Sequence, residues 1–117
     1  MTKLFGIKNC DTVRKARKWL EQQSVQHDFI DFRDTPLSAE QLQRWHQFVG
    51  DDLLNKRSTT WKQLSETERN IDNQANMLAL LATHPTLIKR PVLDTGDTVT
   101  IGFSTDRYAD IFQTINR

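Results

Sequence analysis

The sequence contains one cysteine, Cys10, and it lies within a run of basic residues near the start of the chain. Residues 1–20 hold six Lys or Arg residues against a single acidic residue, Asp11. Nearby positive charge favours the thiolate form of a cysteine, and the thiolate is the form that acts as a nucleophile. This combination predicts thiol chemistry at Cys10, whereas a solvated helix face is the simpler interpretation of the charge run.

The residues around Cys10 predict that it lies where a strand ends and a helix begins. Residues 3–7 are typical of a short strand, and residues 10–23 are typical of a helix because their apolar side chains recur at helical spacing. The first N–H groups of a helix have no partners within the helix, and the helix dipole places partial positive charge at the same end. A thiolate at this junction would be stabilised.

Neighbouring side chains are expected to modify this effect. Lys8 and Arg14 would add positive charge, and Asn9 and Thr12 would donate hydrogen bonds. Asp11 would act against the thiolate, or mainly cap the helix as an acidic residue in the first turn. We therefore predict a cysteine that is nucleophilic at neutral pH; the alternative is a buried structural cysteine, since free cysteines are often buried.

A second thiol is absent from the sequence. Position 13, where a Cys-x-x-Cys pair would place it, is Val13, so neither an internal disulfide nor a Cys–Cys metal site can form. An adduct on Cys10 must then be released by an external thiol, and glutathione is the abundant candidate in a cytoplasm. No metal site is expected, because His27, His46 and His84 are widely separated and have no partner at ligand spacing.

Length and composition set limits on the class of protein. The chain has 117 residues, of which 37% are hydrophobic, and this is enough for one domain over residues 1–117. No apolar run reaches the roughly 18 residues needed to span a bilayer, and no cleavable apolar leader opens the sequence. The net charge of +1 gives no general nucleic-acid footprint. We expect a cytoplasmic protein without direct contact to nucleic acid or membrane.

Three further strands complete the predicted sheet. Residues 27–32 are expected to form the second strand, residues 87–93 lead into the third, and residues 98–103 alternate as its partner. The turn signal at 94–97 predicts an antiparallel hairpin, whereas the first strand, helix and second strand require a parallel pair with a right-handed crossover. The sheet is therefore mixed and four-stranded.

The other helices are predicted from caps and breaks. A capping box of Ser38 and Gln41 opens one helix, Asp72 caps another that runs to about Thr83, and Ser104 or Thr105 caps the last. The last helix is expected to bury four apolar side chains: Tyr108, Ile111, Phe112 and Ile115. The order βαβ, helical block and ββα predicts a thioredoxin-like α/β fold, with a four-stranded mixed sheet flanked by helices and a helical insertion over about 36–84.

The chain carries three segments that together resemble one known family. They are FGIKNCDTVRKA at 5–16, LLNK at 53–56 and LIKRPV at 87–92. In this order and spacing they resemble the arsenate reductase (ArsC)/Spx family, and most closely its YffB-type branch. The resemblance extends from Leu4 to about Phe112, nearly the whole chain.

The resemblance implies roles for individual residues. The family nucleophile falls on Cys10, and the Cys-x-x-x-Arg anion loop falls on Cys10 and Arg14. The arginine before the family proline falls on Arg90. In thioredoxin-like proteins this proline is usually cis and lies beside the active cysteine, so Pro91 is the candidate for a cis peptide bond.

The sequence also departs from the family at its anion-binding positions. The middle arginine falls on Asn55, although Lys56 and Arg57 are adjacent. The last arginine falls near residues 102–103, where the sequence has no cation, and the histidine four residues before the nucleophile is Gly6. Since an arsenate site needs dense positive charge, these departures favour a glutathionyl carboxylate or a mixed disulfide as the ligand.

The resulting hypothesis is a thiol oxidoreductase that uses glutathione as co-substrate and has no bound cofactor. The residues assigned to catalysis are Cys10, Arg14 and Arg90. The residues assigned to binding substrate or glutathione are Lys8, Asn9, Thr12, Lys56, Arg57 and Pro91. The alternatives are an Spx-like regulator that binds RNA polymerase, although such relatives generally carry the Cys-x-x-Cys switch that Val13 removes here, and an arsenate reductase.

Overall fold

The computed structural model describes the backbone of residues 2–115 and the side chains of residues 2–113. Its sheet has four strands in the order β2-β1-β3-β4. Strand β1 pairs in parallel with β2 and antiparallel with β3, and β3 pairs antiparallel with β4. The strands are β1 (Lys3–Gly6), β2 (Asp28–Asp31), β3 (Val92–Asp94) and β4 (Val99–Ile101). This is the predicted mixed sheet.

Helices cover both faces of the sheet. They are α1 (Asp11–Gln22), α2 (Ala39–Val49), α3 (Thr59–Gln63), α4 (Glu66–Arg69), α5 (Gln74–Thr83) and α6 (Thr105–Ile115). Short 3-10 helices occupy Gly50–Leu53 and Pro85–Leu87. The element order confirms the thioredoxin-like fold, with helices α2 to α5 inserted between β2 and β3. No helix in the described part of the chain is long and apolar enough to cross a membrane.

Helices α1 and α6 pack side by side on one face of the sheet. Their buried side chains meet those of β1 and β3 in one cluster: Leu4, Ala16, Leu20, Leu93, Tyr108 and Phe112. Trp19 of α1 contacts α6 directly, with its ring 5.7 Å from that of Tyr108. The predicted apolar faces of both helices are confirmed, except that the side chain of Ile115 lies outside the described residues.

The opposite face of the sheet is covered by α2 and α5. Phe5 of β1 meets Trp45 of α2 edge to face, with ring centroids 4.8 Å apart, and Leu81 of α5 is fully buried in the same cluster. Arg44 of α2 adds two hydrogen bonds to the carboxylate of Asp94, at 3.1 and 3.2 Å. The inserted helices are therefore an integral part of the second core.

The backbone after the first 3-10 helix ties the insertion to the segment that precedes β3. Leu54 and Ile88 form an isolated antiparallel bridge. On either side of it, Asn55 N–H donates to Leu87 O at 2.7 Å and Lys89 N–H donates to Leu53 O at 2.9 Å. This pairing aligns residues 53–55 with the residues leading to Arg90.

Some predicted caps differ from those observed. Helix α5 is capped by Asn73 rather than Asp72, because the Asn73 side chain accepts the Asn76 N–H at 2.9 Å. Ser38 accepts the Gln41 N–H, but the reciprocal bond from the Gln41 side chain is missing, so only half of that capping box forms. A complete one occurs at α4, between Ser65 and Glu68.

The predicted strand ends also move. The third strand spans Val92–Asp94, so it includes Asp94, which was predicted to belong to the turn. The fourth strand ends at Ile101, since Gly102 adopts a φ of 76°. Of the two candidate caps for α6, Ser104 is the one used: its Oγ accepts the Arg107 N–H at 3.1 Å.

Candidate functional site

Cys10 is the N-cap residue of α1. Its backbone is extended (φ −87°, ψ 126°), its N–H donates to Ile7 O at 3.1 Å, and its carbonyl accepts the Arg14 N–H at 3.0 Å. The thiol accepts no capping hydrogen bond from the described amides of α1 and is partly exposed. The predicted strand-to-helix junction is confirmed, and a thiolate here would face the unpaired N–H groups of the first turn.

The Cys10 loop follows the carboxyl end of β1, and the start of β3 lies at the same end of the sheet. This end of the strands is called the edge of the sheet below. Phe5 pairs with Val92, and the two strands are antiparallel, so the residues before Val92 lie beside those that follow Phe5. The peptide bond between Arg90 and Pro91 is cis, as predicted, and Pro91 is buried. The structure therefore brings the Cys10 loop, Arg90 and Pro91 to one edge.

Arg90 keeps its positive charge available. The residue is half-buried, and it makes no hydrogen bond or ion pair with another residue in the part of the chain that the structure describes. A guanidinium that no carboxylate neutralises can bind an anionic group through paired N–H donors. Its position beside the Cys10 loop makes it a candidate to hold the anionic part of a ligand.

Arg14 and Lys8 were expected to support the thiolate, but both are paired with carboxylates. The guanidinium of Arg14 bonds to Asp11 and also to the Asn9 carbonyl, the latter at 3.3 Å. Lys8 Nζ lies 3.5 Å from Asp34. Acidic side chains one helical turn away or in the adjacent loop therefore compensate part of both charges, and the support that Lys8 and Arg14 give to the thiolate stays a prediction.

The side chains of Asn9 and Thr12 are both exposed. Among the described hydrogen bonds neither donates to Cys10, which corrects the expected stabilisation of the thiol by these groups. Asn9 contributes through its carbonyl instead, as the acceptor for Arg14.

The buried carboxylate of Asp31, which sequence reasoning missed, bonds to the backbone of the loop that leads to Cys10. Asp31, the last residue of β2, accepts the Lys8 N–H at 3.1 Å and the Arg33 N–H at 2.9 Å, and it pairs with the Arg33 guanidinium at 3.1 Å. Burial alone raises the pKa of Asp31, but these hydrogen bonds and the Arg33 charge lower it to about 2. A second acidic residue at the end of the strand, after Phe29 and Ile30, is the signal that could have identified it.

The close packing of Gly6 against Val13 limits which residues position 6 can hold. A Cβ atom on Gly6 would lie 2.7 Å from Cγ2 of Val13, which is too close for any larger residue without a shift. Val13 is fully buried. A histidine at position 6 is therefore incompatible with the present packing of α1 against β1.

The basic residues of the insertion lie next to the segment that leads to Arg90. Lys56 and Arg57 follow the backbone pairing of residues 53–55 with 87–89, and both are exposed. Lys56 Nζ lies 5.6 Å from the ring centroid of Trp61, and the Arg57 N–H is held by Asn55 Oδ1 at 3.0 Å. Because this pairing is antiparallel, with Asn55 opposite Leu87, Lys56 and Arg57 continue in the direction away from Arg90, and their role in binding stays a prediction.

Arg107 supplies a cation next to residues 102–103, which have none of their own. Its Nη1 donates to the Ile101 carbonyl at 2.9 Å, and its Nη2 lies 4.0 Å from the position of a Cβ on Gly102. Residues 102–103 themselves carry no cation, but the Arg107 guanidinium lies beside them. Helix α6 turns Arg107 back toward the strand end, a relationship that a linear motif does not reveal.

Other features of the molecule do not form a competing centre at this edge. Within residues 2–113, no group of three or more His, Cys, Asp or Glu side chains is placed to hold a metal ion. A groove of about 520 Å³ between α2 and α5 is lined by residues including Ala75, Leu78 and Ala79, away from Cys10. The chemistry of the edge depends on the thiol and the guanidinium groups.

The sheet order, the cysteine at the start of α1 and the cis-proline before β3 define a thioredoxin-like protein. The ArsC family model matches residues 5–111. The chain belongs to the ArsC family.

Similar sequences and structures agree with this assignment. An uncharacterized protein of Haemophilus influenzae is 43% identical over 113 residues, covering 96% of this chain and 99% of the relative. YusI of Bacillus subtilis is 33% identical over 110 residues (91% and 93%). The global transcriptional regulator Spx of Streptococcus pneumoniae is 28% identical over 109 residues (91% and 81%).

Two solved structures extend the comparison to the fold. The YFFB protein is 38% identical with a TM-score of 0.90, covering 94% of this chain and 97% of that one. An arsenate reductase (ArsC) related protein from Brucella melitensis is 37% identical with a TM-score of 0.73, covering 95% and 93%. The likeness to the YFFB protein agrees with the branch that the sequence motifs indicated.

Proposed function

We propose that this protein is a glutathione-dependent thiol oxidoreductase that reduces a disulfide or a mixed disulfide with one nucleophilic cysteine. The observation that carries the proposal is the partly exposed Cys10 thiol at the start of α1, at the same sheet edge as the unpaired Arg90 and cis-Pro91. Membership of the ArsC family supports thiol-based reduction as the class of reaction.

With a glutathionylated substrate, the reaction would proceed in two thiol–disulfide exchanges. The Cys10 thiolate attacks the glutathionyl sulfur, a Cys10–glutathione disulfide forms, and the substrate leaves as a thiolate. The thiolate of a free glutathione then attacks the glutathionyl sulfur held on Cys10. Oxidised glutathione leaves, the Cys10 thiolate is restored, and the two electrons have come from glutathione.

The residues at the edge would bind different parts of the glutathionyl group. Arg90 would hold a carboxylate of the glutathionyl group, and Pro91 would provide the backbone beside it. Lys56 and Arg57 would contribute from the insertion. Glutathione acts as a co-substrate in this scheme rather than as a resident cofactor, and the cytoplasm would supply it.

Intact-mass analysis after incubation with oxidised glutathione tests the proposal. We expect one glutathionyl group per chain on the wild type, its removal by reduced glutathione, and no adduct on Cys10→Ser. Turnover of a glutathionylated peptide, followed by formation of oxidised glutathione, would complete the test. A wild-type thiol that forms no reducible adduct would contradict the proposal.

The second candidate is an Spx-like regulator that binds RNA polymerase, and the similarity to the Streptococcus pneumoniae regulator supports it. Val13 weighs against it because the chain has no Cys-x-x-Cys switch. Stoichiometric recovery of polymerase with the tagged protein, together with no thiol transfer, would favour this candidate.

Arsenate reduction is the third candidate and rests on the family membership. Gly6 and Asn55, which replace the family's histidine and middle arginine, weigh against it. Arsenite production above that of Cys10→Ser, in the presence of glutathione, would support this activity.

A further inference from the structure

Cys10 and Arg107 both lie at the N-terminal ends of two neighbouring helices. Helices α1 and α6 pack on the same face of the sheet, where Trp19 meets Tyr108 at 5.7 Å. Cys10 caps α1 and Arg107 lies in the first turn of α6. Because α1 follows the end of β1 and α6 follows the end of β4, both helices begin at the sheet edge that holds the candidate site.

The guanidinium of Arg107 is held in place while most of its donors remain free. One N–H donates to the Ile101 carbonyl at 2.9 Å, which fixes the group against the end of β4. No carboxylate among residues 2–113 forms an ion pair with it. An arginine anchored in this way presents its remaining N–H groups to an incoming acceptor at reduced entropic cost.

Arg90 and Arg107 are linked through one backbone hydrogen bond. The Gly102 N–H donates to the Pro91 carbonyl at 2.9 Å, so the residue after Arg90 is bonded directly to the residue beside the Arg107 guanidinium. The other cations at this edge behave differently, because each is paired with a carboxylate: Lys8 with Asp34, Arg14 with Asp11, and Arg33 with Asp31. Arg90 and Arg107 are therefore the two arginines that leave positive charge uncompensated here, among the described residues.

The separation of the strands sets the size of a ligand that could reach these groups. Strands β1 and β4 are two places apart in the sheet, with Phe5, Val92 and Ile101 in register. Two strand spacings amount to about 10 Å. An extended tripeptide covers about the same length, at roughly 3.3–3.6 Å per residue.

We propose that Arg107 and Arg90 form a carboxylate-binding site that makes Cys10 select disulfides bearing carboxylates over neutral disulfides. This inference rests on the proposed thiol oxidoreductase function and assigns its substrate class. The glutathionyl group, a tripeptide with two carboxylates, has the required charge and size. Arg107 acts in binding, and the thiol exchange at Cys10 is unchanged in its chemistry.

The test compares two disulfides that differ in charge, 5,5′-dithiobis(2-nitrobenzoate) as the anionic one and 4,4′-dithiodipyridine as the neutral one. Rates of reaction with Cys10 are measured by stopped flow at low salt. For Arg107→Gln we expect the rate with the anionic reagent to fall about three- to tenfold, because one exposed charged contact is lost. The rate with the neutral reagent should be unchanged. Arg107→Lys should restore part of the rate. Lys18→Gln, which removes an equal charge from an exposed position on α1, should leave the ratio of the two rates unchanged.

The outcomes separate this inference from the proposed function. An equal fall with both reagents, or no change in their ratio, would overturn the role of Arg107 even if the wild type turns over glutathionylated peptide. A ratio that falls in Arg107→Gln and recovers with lysine would support it. If the wild type shows this selectivity but forms no reducible glutathione adduct, the carboxylate site stands and the proposed reaction fails.

Discussion

Gly6 and Val13 are packed so closely that a Cβ atom on Gly6 would lie 2.7 Å from Cγ2 of Val13. Gly6 ends β1 and Val13 lies on the first turn of α1, so this contact sets how near the helix approaches the strand. Because Cys10 caps the same helix, the contact also sets the distance between the thiol and the end of strand β1.

Gly6→Ala is expected to lower the free energy of unfolding by about 1–3 kcal/mol, because the added methyl overpacks a rigid β-branched neighbour. Urea denaturation measures the change. The matched control is the same substitution in a Val13→Ala background, where the neighbouring methyl groups are gone and the cost should be smaller. An equal cost in both backgrounds would show that the Val13 contact is not responsible.

Arg90 and Arg14 are expected to differ in importance, although the motif assigns both. Arg90→Gln removes an unpaired charge and should slow the glutathionylation of Cys10 about three- to tenfold. Arg14→Gln removes a charge that is already paired with Asp11, and it should change the rate of glutathionylation less than twofold. The rate of adduct formation with oxidised glutathione measures both. A larger effect from Arg14→Gln would restore the assignment made from the motif.

The sequence predicted the elements better than it predicted the partners of charged groups. The mixed sheet and the Cys10 junction follow from periodicity and breaks, which are local signals, and the cis-Pro91 was implied by the family resemblance. Arg14 illustrates the limit: its spacing from Cys10 matches an anion loop, but its partner is decided by which carboxylate lies nearer.

Arg107 and Asp31 illustrate a second limit. Each acts at the edge through a contact made only after a helix or strand is placed against another, Arg107 with Ile101 and Asp31 with Lys8. Neither residue belongs to a motif in the sequence. Such contacts depend on three-dimensional register, which a linear pattern does not specify.

Asp11→Asn is expected to increase the reactivity of Cys10. The substitution removes the negative charge in the first turn of α1 and releases the Arg14 guanidinium, and a charge at this position changes helix-terminal energies by about 0.3–1 kcal/mol, or about two- to fivefold in rate. Iodoacetamide alkylation at pH 7 and low salt measures the effect. Glu21→Gln, at the other end of α1, is the control and should leave the rate unchanged; a similar rise there would argue against a local effect.

The free energy of unfolding should decrease at acid pH because Asp31 becomes protonated. Its pKa in the folded protein, about 2, lies below the ordinary value of 3.8, so the ionised carboxylate stabilises the fold above pH 4. This contribution, on the order of 2 kcal/mol, is lost as the pH falls from about 4 through 2.

The free energies of unfolding of wild type and Asp31→Asn, measured in urea at pH 7, 4 and 2, test this. The difference between the two proteins should be largest at pH 7 and shrink by about 2 kcal/mol at pH 2. Asp28→Asn, at the exposed start of the same strand, serves as the reference. A difference that is constant with pH would show that the Asp31 charge contributes nothing to folding.

The two faces of the sheet separate the thiol from the inserted helices. Helix α1, which Cys10 caps, packs against α6 on one face, while α2 and α5 build the core of the other. The insertion touches the candidate site mainly through the backbone pairing of residues 53–55 with 87–89. Because the inserted helices also complete the second core against Phe5 of β1, a partner bound on that side would influence the thiol through this strand and through the backbone pairing.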